Sequence, residues 1–400
     1  MPTIFNIYSE KEIEEKIKLI CNLIEKKLKD VEILNKLDFE FKEKLLSIAR
    51  ARIKNEREHE KFIDAKYFNE ADLRFSTPKI IADYRANKLK CNKIADLCSG
   101  IGMQASAFTK TSKEVFAIEI DERKVEYSKH NFKNENLKFI KGDILSEGII
   151  NKVKEFKPEI IFCDPERLAE EKERNVDSIK PNLKKLIEIY SKITANLAIE
   201  LPPQIEMKKL KEFEKFGDFE AEYLSLNNKL NRLTLYFNSL GKSEVSVVDV
   251  LSGARLEKDK LSKLKKVEKT NYLLNYIFEP TTAIEKAHLG GEFAEATNSK
   301  ILENSEKGKL LFTSNSPINK EIKNLCKSYS VIKLTDFFKD TIRLLKKLNF
   351  GKVVLKYSIS PENYWRERNK LEGELKGERE ATLFAIIEKG NRKFVLCERV

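Results

Sequence analysis

Along the first 68 residues apolar positions recur every three to four places. Ile13, Ile17, Ile20, Leu23 and Ile24 form one such stripe, and Phe41, Leu45, Ile48 and Ala49 form another. That period puts one face of a helix against a core. No glycine and only Pro2 precede Pro78, which predicts helices throughout this stretch. From about 93 to 239 the pattern changes to short apolar runs separated by longer helical segments, as in parallel βα units. The predicted strands are Lys93–Leu97, Glu114–Ile120, Leu137–Ile140, Glu159–Cys163, Asn196–Leu201, Ala221–Leu226 and Leu233–Asn238. The last two, with only the polar Asn227–Arg232 between them, should form an antiparallel hairpin. Beyond Gly241 a strand at Glu244–Val250 and a Lys-rich stretch at Lys258–Lys269 lead into further βα-like pieces. The fold expected is α/β: a seven-stranded, doubly wound sheet ending in an antiparallel hairpin, a helical N-terminal region and a smaller α+β C-terminal domain. Boundaries are expected at 1–68, 69–240, 241–330 and 331–400.

The 400 residues suffice for two or three domains. At 41% hydrophobic and 35% charged, the chain is more charged than the roughly 25% usual for soluble proteins, yet its apolar residues stay periodic. No apolar run approaches the roughly 20 residues of a membrane span, and the first residues lack a secretory pattern, so neither a membrane nor export is expected. Lys and Arg outnumber Asp and Glu 76 to 64, for a net +12. Such an excess suits a polyanionic partner, and suits a merely solvated basic surface equally. The six cysteines form no CxxC pair, and the three histidines lie far apart, so no disulfide framework and no metal are expected. A reduced cytoplasm is the expected location.

Chemistry concentrates at the predicted strand ends. In IADLCSGIGMQ the first strand ends near Asp96, and Gly100 and Gly102 open the turn into a helix. Glycines there let a ligand approach the backbone. Glu119 closes the second strand, where a carboxylate can accept ribose hydroxyls. Asp143 closes the third, where one can accept an adenine amino group. Each acid could instead cap a helix. However, Asp96, Glu119, Asp143 and Asp164 follow one another by 23, 24 and 21 residues, one strand-plus-helix unit each time. That register points them into the crevice outside the carboxyl ends of the strands. Gly100, Gly102 and Ala105 also fit a dinucleotide turn; Asp143, the hairpin and the fourth strand's ending go beyond what that fingerprint requires.

The set D-L-C-S-G-I-G, E-I-D, G-D-I and C-D-P-E-R resembles the class I S-adenosylmethionine-dependent methyltransferases, over about residues 69–240. The resemblance implies an S-adenosylmethionine cofactor. Asp96, Cys98, Gly100 and Gly102 would line its methionine side, Glu119 and Ile120 its ribose, and Asp143 with Ile144 its adenine. Asp164 would stand beside the sulfonium. The tetrapeptide Asp164-Pro165-Glu166-Arg167 is similar to the (D/N)PP(Y/F/W) motif of enzymes that methylate amines on nucleic-acid bases, nearest in kind to the RNA guanine-N2 enzymes. Glu166 replaces the second proline and Arg167 the aromatic. Asp164 would orient an exocyclic amine, Pro165 would present a backbone acceptor, and Arg167 would hold base or phosphate. Arg74, Phe75, Thr77, Tyr84 and Glu166 are candidates for lining the substrate side, and the turn at Glu200–Pro203 for one of its walls.

Two later stretches, Tyr276–Pro280 with Ala283 to Ala287, and Lys356–Pro361 with Tyr364, Trp365, Arg366 and Glu380–Phe384, resemble methyltransferases with a THUMP-like C-terminal domain. The resemblance implies an RNA partner, tRNA or rRNA. Lys352, Lys356, Arg366, Arg368 and Lys370 surround Tyr357, Tyr364 and Trp365, and such interleaving can pair phosphates while stacking bases. It is equally the pattern of aromatics packed in a small core under solvated cations. The expected activity is methylation of an RNA exocyclic amine such as guanine N2. Methylation of a protein or small-molecule nitrogen, or RNA binding without catalysis, are the rival expectations.

Overall fold

The structure, a computed structural model, describes residues 3–57, 63–167, 179–262, 265–306 and 310–400. The chain divides into two compact units. The first comprises Met1–Leu201, Lys209–Phe219 and Leu235–Leu240; the second comprises Pro202–Lys208, Glu220–Thr234 and Gly241–Val400.

The first unit opens with α1 (Ile4–Ile7), α2 (Glu10–Glu25), α3 (Asp30–Asn35) and α4 (Lys42–Arg57). Ser9 caps α2: its hydroxyl accepts from the Glu12 N–H, and the Glu12 carboxylate accepts from the Ser9 N–H at 2.8 Å. The predicted stripes form the core here, with Ile13, Ile17, Ile20, Leu45 and Ile48 buried in one cluster that also takes in Tyr67 and Tyr127. Helices α5 (Glu70–Phe75) and α6 (Lys79–Lys88) lead into the sheet.

Five parallel strands follow: β1 (Cys91–Leu97), β2 (Ser112–Glu119), β3 (Leu137–Lys141), β4 (Ile160–Cys163) and β5 (Leu197–Leu201). Helices α7 (Met103–Phe108), α8 (Glu122–Asn131), α9 (Glu147–Phe156) and α10 (Leu183–Tyr190) connect them. The strands lie in the order β3-β2-β1-β4-β5. The order reverses at β1, flanked by β2 and β4, the switch point where open α/β sheets bind ligands. Strand β4 is wholly buried, as its apolar sequence requires, and β1 is buried from Ile94 to Leu97.

The hairpin strands β6 (Phe219–Leu226) and β7 (Lys229–Phe237) belong partly to each unit. The end of β7 follows β5 in the first unit's order. Its turn is tighter than the sequence suggested. Asn227 and Asn228 alone make it, both left-handed (φ 52° and 60°), a conformation asparagine tolerates and two-residue hairpins need. Lys229–Arg232, read as a polar link, are already strand. Within the second unit two more strands are added beside β6. β8 (Val245–Asp249) runs parallel to β6, and β9 (Arg255–Lys258) pairs antiparallel with β8. Arg255 there bridges the buried Glu220 and Glu222 at 2.6 and 3.0 Å.

The rest of the second unit is built on an eight-stranded mixed sheet. Its strands are β10 (Lys269–Thr270), β11 (Tyr276–Pro280), β12 (Lys300–Leu302), β13 (Phe312–Ser314), β14 (Cys326–Thr335), β15 (Phe350–Leu355), β16 (Arg379–Glu388) and β17 (Asn391–Arg399). Their order is β10-β12-β13-β11-β14-β17-β16-β15. Among the described residues no helix is long and apolar enough to cross a membrane, and no group of three or more side chains is set to hold a metal.

Candidate active site at the strand ends

The site begins with a turn. After β1 the chain passes through Cys98 (φ 65°), Gly100 (φ 57°) and Gly102 (φ 87°), all left-handed, before α7 starts. The two glycines have different reasons. A Cβ on Gly102 would stand 2.8 Å from the Phe139 ring, so this glycine serves packing. A Cβ on Gly100 would meet nothing within 4 Å. The space over Gly100 is open to a ligand.

Strand register sets the acids. Asp96 pairs with Ala117 of β2 and Phe162 of β4; Glu119 pairs with Lys141, and Cys163 with Ile199. Side chains alternate faces with period two. Glu119 lies two places beyond Ala117, Asp164 two beyond Phe162, and Asp143 two beyond Lys141. Glu200 follows Ile199 as Asp164 follows Cys163. All five acids therefore emerge with the parity of Asp96, at the ends of β3, β2, β1, β4 and β5.

Their surroundings differ. Asp96 is 1% exposed, and neither carboxylate oxygen has a hydrogen-bond partner among the described residues. Burial pushes its pKa well above the ordinary range; the Asp164 charge adds to this, Arg85 opposes it, and Glu119 and Glu200 raise it further. The strands that bear these acids, β2, β1, β4 and β5, lie side by side in the sheet. Glu119 is also buried, but its Oε2 accepts from the Gly100 N–H at 2.8 Å and its Oε1 from the Ile120 and Asp121 N–H groups at 3.0 Å each. Asp143 is exposed and accepts from the Leu145 N–H through Oδ1 at 2.8 Å. Asp164 is partly exposed and Pro165 buried.

Sequence reasoning missed Arg85. This α6 guanidinium is fully buried. It donates to Glu200 Oε2 and, at 2.8 Å, to Gln104 Oε1, and lies 4.7 Å from the centre of the Phe162 ring. Gln104 Nε2 donates to the Ala82 carbonyl at 3.2 Å, which aims its oxygen at the arginine. Burial alone would lower the arginine's pKa; the charges of Glu200, Tyr236 and Asp164 raise it instead. A signal was present: Arg85 occupies the stripe Ile81, Ala82, Ala86, Leu89, and a cation on an apolar stripe calls for a buried counter-charge.

The other expected residues scatter. Thr77 is buried, Tyr84 half-buried, and Arg74 lies over the half-exposed Phe75 ring at 5.4 Å. Ile120 is 63% exposed at the end of β2, an apolar surface of the kind a base plane covers; Ile144 is buried. Cys98 and Cys163 face each other with sulfurs 3.9 Å apart, and burial pushes the Cys163 thiol well up. The side chains of Glu166 and Arg167 lie outside the described part of the structure. Trp365 and Arg366, on the helix Pro361–Glu372 of the second unit, are both exposed.

The arrangement suits a ligand with a cation, an open approach over Gly100 and a flat apolar part. Residues 91–240 match the model of the RNA cap guanine-N2 methyltransferase family. This stretch is a methyltransferase domain. The enzyme's cofactor is S-adenosylmethionine, and the residues present fit it: the unpartnered Asp96 carboxylate can meet a cationic group, and Gly100 leaves room for the chain that carries it. The whole chain shares its fold with a crystal structure of a candidate methyltransferase from Porphyromonas gingivalis W83, at 16% identity and a TM-score of 0.74, over 98% of this chain and 99% of that one. A candidate RNA methyltransferase from Pyrococcus horikoshii is 17% identical over 48% of this chain and 84% of its own, with a TM-score of 0.28.

Proposed function

We propose that this enzyme methylates an exocyclic amine of RNA, with guanine N2 in tRNA or rRNA as the target. The observation that carries this reading is the Asp164-Pro165 pair following β4 directly, with Asp164 on the face of the sheet that bears Asp96, inside a segment matching guanine-N2 methyltransferases. The basic excess of +12 supports a polyanionic substrate.

S-adenosylmethionine supplies an electrophilic methyl group when bound. Asp96 would hold its ammonium, Glu119 has room on Oε2 for a ribose hydroxyl, and Oδ2 of Asp143 is open to an adenine amino group. Exposed Ile120 would cover the base plane. On the acceptor side, Asp164 would take a hydrogen bond from the target amine and fix its lone pair in line with the methyl group. The same carboxylate is the nearest acceptor for the proton that the nitrogen sheds. Little base strength is needed, because positioning dominates an in-line displacement. The resemblance of the sequence stretches Tyr276–Ala287 and Lys356–Phe384 to methyltransferases with a THUMP-like domain supports an accessory RNA-binding role for the second unit.

The test is to incubate total RNA from cells lacking the protein with labelled methyl donor and identify the labelled nucleoside by mass spectrometry. N2-methylguanosine is expected. Label confined to protein or small molecules would refute the RNA substrate.

A further inference from the structure

We propose that Arg85 is a positioning residue for methyl transfer, holding the Asp164 carboxylate oriented and charged at the end of β4. The inference rests on reading Asp164 as the acceptor of the target amine. Four carboxylates, Asp96, Glu119, Asp164 and Glu200, end adjacent strands, and Asp96 feels the charge of the other three. Arg85 is a cation that offsets those charges. It is fixed in place from three elements: Glu200 on β5 and Gln104 on α7 take its two Nη groups, and Phe162 of β4 lies against its face. Tyr236 of β7 also faces it.

Register explains how it reaches Asp164. Cys163 and Ile199 are paired, so Glu200 and Asp164 are next neighbours on adjacent strands with the same parity. An arginine locked onto Glu200 therefore stands beside Asp164, and the two interact electrostatically. Asp96 has no hydrogen-bond partner among the described residues. The guanidinium thus gives Glu200 a direct ion pair and leaves the Asp96 oxygens for an incoming cation. A surface lysine could not do this, since it would be solvated and mobile.

Removing Arg85 alone would strand Glu200 without its partner in the core and could unfold the protein. The decisive variant is therefore the double replacement Arg85→Met with Glu200→Leu, since apolar replacement of a whole buried ion pair is commonly tolerated. Three quantities are read: S-adenosylhomocysteine affinity by calorimetry, the pH profile of turnover on total RNA, and the carboxyl carbon-13 titration of Asp164, assigned by its absence in Asp164→Asn. A folded double variant should bind S-adenosylhomocysteine with little change. Its turnover at neutral pH should fall about a hundredfold. Measured against Glu200→Gln alone, which already lacks the neighbouring carboxylate's charge, the double variant should move the acid limb and the Asp164 midpoint up by about one unit. An unchanged midpoint and profile would overturn the proposal. Should the double variant fail to fold, Arg85→Lys provides the same readings: a partial upward shift is expected, and no shift overturns the role. If the wild-type protein methylates no RNA, the RNA reading falls, while the carbon-13 titration still decides the role of Arg85.

Discussion

The ends of β1 to β5 and the helix Pro361–Glu372 with its neighbours are both rich in charge, but they handle it in opposite ways. Around the helix nearly every buried or half-buried charge is matched. Lys356 donates to both oxygens of Glu279 at 2.9 and 2.7 Å, Arg368 to Glu372 at 2.9 Å, and the buried Tyr357 hydroxyl to Glu367 at 2.8 Å. At the strand ends Asp96 is buried with no hydrogen-bond partner among the described residues. A fully matched cluster lowers the energy of its own fold and asks for nothing further. A buried, unmatched carboxylate costs about 1–3 kcal/mol, and a ligand that completes it recovers that cost. Unsatisfied chemistry, more than charge density, separates the site from the scaffold.

The contrast can be broken at its strongest point first. Asp164→Ala should lower turnover by at least about a hundredfold while calorimetry shows S-adenosylhomocysteine binding nearly intact. Equal loss of both would make Asp164 a cofactor or folding residue. Next comes Asp96→Asn, which should weaken cofactor binding by roughly tenfold or more, the scale of one lost charge-assisted hydrogen bond. The same change should stabilise the ligand-free protein at pH 8 by about 1–3 kcal/mol in urea melts. The sign follows from the raised pKa. The folded state binds the Asp96 proton more tightly than the unfolded chain, so its stabilising effect is complete below the unfolded pKa. That effect fades as pH rises toward the folded value. Wild type should thus lose stability relative to Asp96→Asn between mildly acid and alkaline pH; parallel curves would sink the claim.

On the matched side, Lys356→Met should lower melting temperature with little effect on RNA affinity. Trp365→Ala should leave stability unchanged and weaken RNA binding by about 1–3 kcal/mol, the worth of a stacked base, as read by filter binding at low salt. If Lys356 proves the more important for RNA, the division between matched and unmatched groups is wrong. The smallest effect separates the two glycines. Gly100→Ala should cost about 1–2 kcal/mol from its left-handed backbone alone, and Gly102→Ala more, because Phe139 must also move.

Periodicity made the order of helices and strands legible because the central strands β4 and β5 are buried throughout and the helices carry clear stripes. The acid register was legible too, since one βα unit has nearly constant length. The hairpin turn was misjudged for a physical reason. Lys229–Arg232 form the largely half-buried start of β7, and polar composition there looks like a loop, while the pair of asparagines carries the turn. Strands β8 and β9 past the hairpin were only half visible: the run Glu244–Val250 showed, its pairing to β6 did not. Arg85 escaped because a lone arginine in a helix is ordinarily solvent-facing; only its place among Ile81, Ala82 and Ala86 set it apart. In the tail, composition alone could not tell paired lysines from free ones. Geometry assigns Lys356 and Arg368 to ion pairs and leaves Arg366 and Trp365 outward.

Helix α8 has a further consequence for anyone who would trim the molecule. The Asn131 amide accepts from the Lys66 and Tyr67 N–H groups at 2.9 and 2.7 Å and donates to the Tyr67 carbonyl, while the His130 ring stacks on Phe5 at 3.6 Å and meets Glu10. The leading helices are thus bolted onto the second crossover of the sheet. A shortened protein starting near residue 69 would bare an oily flank holding Tyr127, and is expected in inclusion bodies; the smallest fragment worth expressing keeps its first turn.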